Sequence, residues 1–300
     1  MVKNVQEMTN DFTAFIDGLE QKAAAAIQPS HDDYIKDGLL YCGNCNTPKQ
    51  CRIEIFGRVR TPFCLCKCEQ ERQQKQAEEI KRREKMQAVQ RMRRMGFPDV
   101  EMSRWTFEKD DCTNTKITKV AHNYVDNFAE MKKRGKGLLL FGSVGTGKTF
   151  AAACIANALI DNGFPCLVTN FARLVNTIAG MYDGKQNYID SLNQFDLLVI
   201  DDLASERDTE YMGEIVQNII DSRYRAGLPL IVTTNLTADE LKHPQEMRKQ
   251  RIYSRLFEMC VPLEVKHKDR RKEKLIADYD ELGALLGLDA ADNKKDGKDE

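Results

Sequence analysis

Residues 137–149 read Gly137-Leu138-Leu139-Leu140-Phe141-Gly142-Ser143-Val144-Gly145-Thr146-Gly147-Lys148-Thr149. The apolar run predicts a buried strand, the glycine-rich segment a loop, and the alanine-rich stretch after Lys148 a helix. In this order the backbone N–H groups of the loop converge on phosphates, and the helix amino end adds partial positive charge. We expect residues 142–149 to bind ATP, with Lys148 on the β and γ phosphates and the Thr149 hydroxyl on Mg²⁺.

Short apolar runs alternate with helical stretches through the rest of the chain. Strands are predicted at 137–141, 166–169, 195–200, 228–233 and 261–265, and helices at 148–162, 171–181, 209–226, 244–259 and 271–286. Continuous apolar strands separated by helices indicate an α/β fold, with a five-stranded parallel sheet covered by helices on both faces.

Two acids, Asp201 and Asp202, end the predicted strand 195–200. Ligands of open α/β sheets bind at this carboxyl edge. We therefore expect Asp201 to bind Mg²⁺ and Asp202 to act as the general base that polarises the attacking water. Asn235 ends the next predicted strand, where its amide is suited to hydrogen bond the γ phosphate or that water.

Two groups of arginines follow. Arg251 and Arg255 lie four residues apart, on one face of a predicted helix, and Arg270 and Arg271 open the last one. Arginine matches the geometry of phosphate and neutralises charge that develops in phosphoryl transfer. Arg251 and Arg270 are also consistent with ordinary surface positions.

Six of the ten cysteines lie between Cys42 and Cys68. Clustered cysteines in a reducing compartment favour a metal site over disulfides, and tetrahedral zinc needs four ligands. The Cys42-x₂-Cys45 pair resembles half of a zinc knuckle, and the second half comes from Cys64, Cys66 and Cys68. Spacing alone leaves the choice of four open, as well as an iron–sulfur cluster or unrelated reduced thiols.

The composition bounds the organisation of the chain. The net charge of −1 provides no overall attraction to nucleic acid, and neither a signal peptide nor a membrane helix is expected, so we expect a cytoplasmic protein. Residues 69–94 form a predicted polar helix with nine Lys/Arg against five Glu. We divide the chain into a helical segment (1–38), a cysteine-rich zinc module (39–68), a charged helical linker (69–100), an ATPase domain (101–288) and a disordered tail (289–300).

The order of these motifs resembles that of the AAA+ ATPases, and more narrowly the DnaC/DnaI type of replicative helicase loader. The similarity extends over residues 39–280 and includes Ile200-Asp-Asp-Leu-Ala-Ser-Glu206 and Arg251-Ile-Tyr-Ser-Arg-Leu-Phe-Glu258. It implies an AAA+ sheet preceded by a zinc module whose ligands are Cys42, Cys45, Cys66 and Cys68. It also implies that Asn235 and Arg271 are the two sensor residues and that Arg255 is an arginine finger. AAA+ proteins usually have Glu in place of Asp202, and the shorter side chain implies slow hydrolysis.

The resemblance implies an ATPase that delivers a hexameric replicative helicase onto single-stranded DNA and assembles with further copies through the arginine finger. One alternative is an IstB-type helper ATPase for a transposase, which shares the same ATPase core. Another is an adaptor that binds ATP without significant hydrolysis. The amino-terminal cysteines favour the loader, and the set of Lys148, Thr149, Asp201, Asn235 and Arg255 argues against the adaptor.

Overall fold

The computed structural model describes residues 32–55, 57–111, 114–203 and 210–270, together with Gly18 and Leu282. The chain forms two compact units, Met1–Met86 and Gln87–Glu300. The predictions for Arg271, for the last helix, for the tail and for most of the amino-terminal helical segment lie outside the described residues.

The first unit contains two small hairpins. Strands β1 (Tyr34–Lys36) and β2 (Leu39–Tyr41) pair antiparallel across Asp37 and Gly38, which both have positive φ. Asp-Gly is a preferred pair for such two-residue turns, so the end of the predicted helical segment 1–38 is a hairpin instead. Strands β3 (Ile53–Ile55) and β4 (Arg58–Arg60) also pair antiparallel. The strand-like stretch 52–60 is therefore two strands, with Gly57 at φ +72°.

The charged stretch forms helix α1, Lys67–Gly96, whose side chains are mostly exposed. Its bounds agree with the helix predicted for 69–94. Arg93, near its end, donates to both carboxylate oxygens of Asp161 at 2.5 and 2.6 Å. Among the described residues, no helix combines the length and the apolar content that crossing a membrane requires.

The second unit is built on five strands: β5 (Gly137–Phe141), β6 (Cys166–Asn170), β7 (Leu197–Leu203), β8 (Leu230–Thr234) and β9 (Cys260–Glu264). They lie in the order β6-β7-β8-β5-β9, and all neighbours are parallel. The predicted five-stranded parallel sheet is confirmed, with bounds that differ from the prediction by three residues or fewer.

Helices flank this sheet. They are α2 (Thr115–Asp126), α3 (Phe128–Lys133), α4 (Lys148–Asp161), α5 (Phe171–Ala179), α6 (Lys185–Ser191), α7 (Glu210–Arg225), α8 (Ala238–Lys242) and α9 (Met247–Met259). The sequence patterns predicted α4, α5, α7 and α9. Of the other four, α3, α6 and α8 have six, seven and five residues, too few for an apolar period to be recognised. Helix α2 does have an apolar face, formed by Ile117, Ala121 and Tyr124, which was not predicted from the sequence.

The sheet has a core on each face because strand side chains alternate between faces. Leu138 and Leu140 pack in the core to which α2 and α4 contribute, whereas Leu139 and Phe141 pack with residues of α5, α7 and α9. Burying a leucine side chain stabilises a fold by about 1.5–3 kcal/mol. The apolar strands therefore hold the sheet between two helical layers and leave its polar carboxyl edge as the place for a site.

Arg223 of α7 is fully buried at the amino-terminal edge of the sheet, opposite the carboxyl edge. Its guanidinium donates to the carbonyls of four residues that lead into β7 and β8: Leu192, Phe195, Asp196 and Pro229. Burial lowers the pKa of Arg223 to about 10. The side chain ties α7 to the starts of both strands, because unpaired buried carbonyls are costly.

Candidate functional site

The glycine-rich loop lies between β5 and α4, where the sequence predicts it. Gly147, at φ +93°, precedes the first residue of α4. Gly145 also has positive φ, and a Cβ on it would lie 1.9 Å from the Asp269 carboxylate, so a larger residue would strain the backbone and displace that side chain. The Lys148 ammonium donates to the carbonyls of Gly142 and Ser143 at 2.8 and 2.7 Å. The lysine is therefore already folded back along the loop.

Asp201 connects three elements at the carboxyl edge of the sheet. Its Oδ1 accepts hydrogen bonds from the Thr149 hydroxyl at 2.7 Å and from the Thr233 hydroxyl at 2.5 Å. The first residues of α4 and the ends of β7 and β8 are thereby drawn together. A hydroxyl beside a carboxylate offers the hard oxygen ligands that Mg²⁺ prefers, so Thr149 and Asp201 fit the predicted magnesium site.

Asp202 adopts an unusual backbone conformation. Its φ is +60°, in the left-handed region, and the pairing of β7 with β8 shifts register between Ile200 and Leu203. Consecutive residues of a regular strand point to opposite faces, yet Asp201 and Asp202 both line one cavity. The bulge turns both acids to the same place, and it is supported by the Asp202 N–H, which donates to Thr233 Oγ1 at 2.9 Å.

Asn235 lies beside Asp202, and its amide nitrogen donates to Asp202 Oδ1 at 3.0 Å. Both belong to a cavity of 540 Å³ that most of the predicted nucleotide-binding residues line. Its walls are residues 144–149 of the loop and α4, then Phe150, Asp201, Asp202, Thr233, Asn235, Trp105, Lys109 and Arg270. Trp105, Lys109, Phe150 and Thr233 were not predicted for the site, although Thr233 precedes the predicted Asn235 by only two residues.

The two predicted arginine groups lie in different places. Arg270 lines the nucleotide cavity, whereas Arg255 lines a second cavity of 490 Å³ that it shares with Arg251. The Arg255 guanidinium stacks on the Tyr224 ring at 4.2 Å and lies 3.4 Å from Asp221. Arg255 therefore does not line the nucleotide cavity of its own chain. Arg271, the predicted second sensor, lies outside the described residues.

In the first unit, four of the six clustered cysteines come together. The sulfurs of Cys42, Cys45, Cys66 and Cys68 all lie within 4.8 Å of one another. Cys68 Sγ is 3.6 Å from Cys42 Sγ and 3.3 Å from Cys66 Sγ. Zinc–sulfur bonds of about 2.3 Å put tetrahedral ligands roughly 3.8 Å apart, so the group fits zinc with little movement.

The remaining two clustered cysteines, Cys51 and Cys64, face backbone carbonyls. Their sulfurs contact Pro62 O at 3.8 Å and Pro48 O at 3.5 Å. Within the group of four, the Thr47 hydroxyl lowers the pKa of the Cys45 thiol to about 5. The neighbouring sulfurs, that of Cys66 above all, raise the pKa of Cys68 to about 12.

Exposed aromatic residues form another feature that the sequence did not reveal. Tyr182 is fully exposed in the loop between α5 and α6. Nearby in sequence, the Lys185 ammonium lies 5.5 Å from the ring centroid of the exposed Tyr211 and 3.1 Å from its hydroxyl. No sequence pattern marks Tyr182, because it lies in a loop without an apolar period.

The sheet order, the glycine-rich loop and the acids at the strand ends define a P-loop nucleotide-binding protein. The chain belongs to the family described as IstB-like ATP binding protein, which matches residues 69–277. This confirms the resemblance on which the sequence-based predictions rest.

Three relatives illustrate the family. The replicative helicase loader DnaI of Bacillus subtilis is 24% identical over 181 residues, which are 55% of this chain and 58% of that protein. A putative insertion sequence ATP-binding protein of Sinorhizobium fredii is 35% identical over 104 residues, 34% of this chain and 35% of that one. A crystal structure of DnaI, 24% identical, matches 57% of this chain and 96% of that one with a TM-score of 0.50. The chain spans less than two thirds of the two proteins matched by sequence, and the likeness in structure confirms the AAA+ fold.

Proposed function

We propose that this chain is an ATP-dependent loader that delivers a hexameric replicative helicase onto single-stranded DNA in the bacterial or phage-infected cytoplasm. The observation that carries the proposal is the position of Arg255: it lines a second cavity, apart from the nucleotide cavity that Lys148, Asp201, Asp202 and Asn235 line. A protein organised in this way completes its site only in an assembly. The relatives named as replicative helicase loaders support the choice of partner.

The chemistry proposed for the cavity is hydrolysis of ATP to ADP and phosphate. Mg²⁺ held by Thr149 and Asp201 would neutralise charge on the phosphates. Lys148 binds the β and γ phosphates, and Asp202 accepts the proton of the water that attacks the γ phosphorus. Asn235 acts as the first sensor and orients Asp202 through the 3.0 Å hydrogen bond between them. The short aspartate side chain makes this hydrolysis slow, which suits a switch.

Arg255 is proposed to act on the nucleotide of a neighbouring copy. An arginine finger supplied in trans raises hydrolysis greatly in other nucleotide switches. In this chain Arg255 is supported by the Tyr224 ring and is 43% exposed in its side chain. Arg271 is proposed as the second sensor from the family resemblance.

The exposed tyrosines support single-stranded DNA as a ligand of the second unit. Bases stack on exposed aromatic rings, and lysines attract the phosphate backbone. Tyr182, Tyr211 and Lys185 offer both kinds of contact. We propose that they contact the DNA strand.

Zinc held by Cys42, Cys45, Cys66 and Cys68 is proposed to stabilise the first unit. Over the part of residues 32–86 that the structure describes, this unit has two hairpins of three-residue strands, and its buried hydrophobic side chains are those of Cys42 and Cys66. Metal binding supplies folding free energy to small modules of this kind.

Helper activity for a transposase is the second candidate, favoured by the relative from an insertion sequence and by the family itself. An ATP-binding adaptor without hydrolysis is the third. The candidates differ in the partner and in the need for hydrolysis, and both can be measured.

The partner is tested by size-exclusion chromatography of the chain with the replicative helicase of its cell, with a transposase as the competing partner. We expect a complex with the helicase and ATP-dependent transfer of the helicase to circular single-stranded DNA. Lys148→Ala should lose nucleotide affinity and transfer, because the phosphates lose their cation. A complex with the transposase alone would contradict the loader.

The finger is tested by mixing two inactive variants. Arg255→Ala keeps an intact cavity, and Lys148→Ala keeps an intact finger. If the finger acts in trans, ATP hydrolysis is lost in each variant alone and partly restored in the mixture. Arg134→Ala, which breaks an exposed ion pair with Glu130, is the control and should hydrolyse normally. Mixing without restoration would remove Arg255 as a finger in trans.

Binding of DNA is tested by fluorescence anisotropy with a labelled single-stranded oligonucleotide. Tyr182→Ala should weaken binding about fivefold or more, because stacking of a base is worth roughly 1–3 kcal/mol. Tyr182→Phe keeps the ring and should bind normally. Equal affinity of the alanine variant and the unmodified chain would exclude Tyr182 from the DNA contact.

Metal analysis of the purified protein tests the cysteine group. We expect one zinc ion per chain, lost in Cys42→Ala because three thiols do not complete the tetrahedron. Cys51→Ala removes a clustered cysteine outside the group and should retain the ion. A metal-free chain, or iron in place of zinc, would contradict the proposal.

A further inference from the structure

Arg270 contacts the phosphate loop through its backbone and through its side chain. Its N–H donates to Gly145 O at 3.1 Å. Its side chain runs along the loop, since a Cβ on Gly147 would lie 3.5 Å from Arg270 Nη1. The guanidinium thus lines the nucleotide cavity from a segment that follows β9, far in sequence from the loop.

Two acids contact this guanidinium. Arg270 Nη2 lies 2.7 Å from Asp111 Oδ1 and 3.7 Å from Asp110 Oδ1. The two carboxylates differ in their surroundings: the Asp110 side chain is 7% exposed, and the Asp111 side chain is 53% exposed. Asp110 is fixed by the Thr118 hydroxyl, which donates to its Oδ2 at 2.5 Å.

Asp111 makes the shorter contact, but its greater exposure to water makes it the more easily replaced partner. An ion pair with a half-exposed carboxylate is screened by water and contributes little. A nucleotide in the cavity carries several negative charges and oxygens that match the guanidinium fork. Arg270 is therefore able to pair either with the Asp111 carboxylate or with the phosphate oxygens of a nucleotide in the cavity.

We propose that Arg270 is a phosphate contact of the bound nucleotide, and that Asp111 competes with the nucleotide for it. The proposal rests on the proposed nucleotide site and adds a second cation to Lys148. Asp110 is a positioning residue: it keeps the guanidinium at the cavity whether Arg270 pairs with Asp111 or with phosphate.

The test measures the affinities of fluorescent ATP and ADP analogues for the full chain. Arg270→Ala should weaken binding about tenfold or more, the range of hydrogen bonds between charged groups. Asp111→Asn should strengthen binding several-fold, because the competitor has lost its charge. In the Arg270→Ala background the Asp111→Asn change should have no effect. Arg134→Ala and Glu130→Gln, made in an exposed ion pair, are the matched controls and should bind like the unmodified chain.

A gain in affinity does not arise from misfolding, so Asp111→Asn decides the matter even if Arg270→Ala is unstable. Weaker binding in Asp111→Asn, or the same gain with and without Arg270, would overturn the competition. Unchanged affinity in Arg270→Ala would overturn the phosphate contact. If the unmodified chain binds no nucleotide, the proposed function and this inference both fail. Binding that depends on Lys148 and not on Arg270 overturns the inference alone.

Discussion

Much of the nucleotide site depends on the bulge at Asp202. A regular strand would present Asp201 and Asp202 to opposite faces of the sheet, and one of them would be lost to the cavity. The left-handed backbone costs about 1–3 kcal/mol, which the hydrogen bond to Thr233 helps to offset. Because Thr233 also donates to Asp201, one hydroxyl of β8 positions both acids of β7. Bulges are common next to active sites because they redirect a side chain in this way.

The sequence predicted those parts of the protein that follow from local pattern. The strand, loop and helix at 137–161 and the acids at the end of β7 need only apolar periodicity and a motif. The conformation of Asp202 was out of reach, because it depends on a register shift against another strand. Arg270 is indistinguishable in sequence from a surface arginine, and only the folding of the chain after β9 brings it to the loop. Tyr182 and Trp105 lie in segments without any periodic pattern.

Helix α7 carries residues of the proposed DNA contact as well as residues that contact the proposed arginine finger. Its first turn carries Tyr211 of the proposed DNA contact, and its last turns carry Asp221 and Tyr224, which hold the proposed finger. The same helix packs with α9, which carries Arg255, in the core on one face of the sheet. A displacement of α7 would therefore move residues of the proposed DNA contact and of the proposed finger together.

The buried Arg223 is a position of this helix at which no other amino acid is expected to substitute. A guanidinium has five N–H donors in a planar fork, and here they serve carbonyls of four residues. Lysine offers three donors at a single point, and neutral side chains offer fewer at shorter reach. No other amino acid satisfies the same carbonyls, so this position, which takes no part in chemistry, should tolerate replacement as poorly as the residues of the nucleotide loop. In a collection of natural or laboratory variants, Arg223 would therefore be as invariant as a catalytic residue, although its role is to align the strands on which the site residues lie.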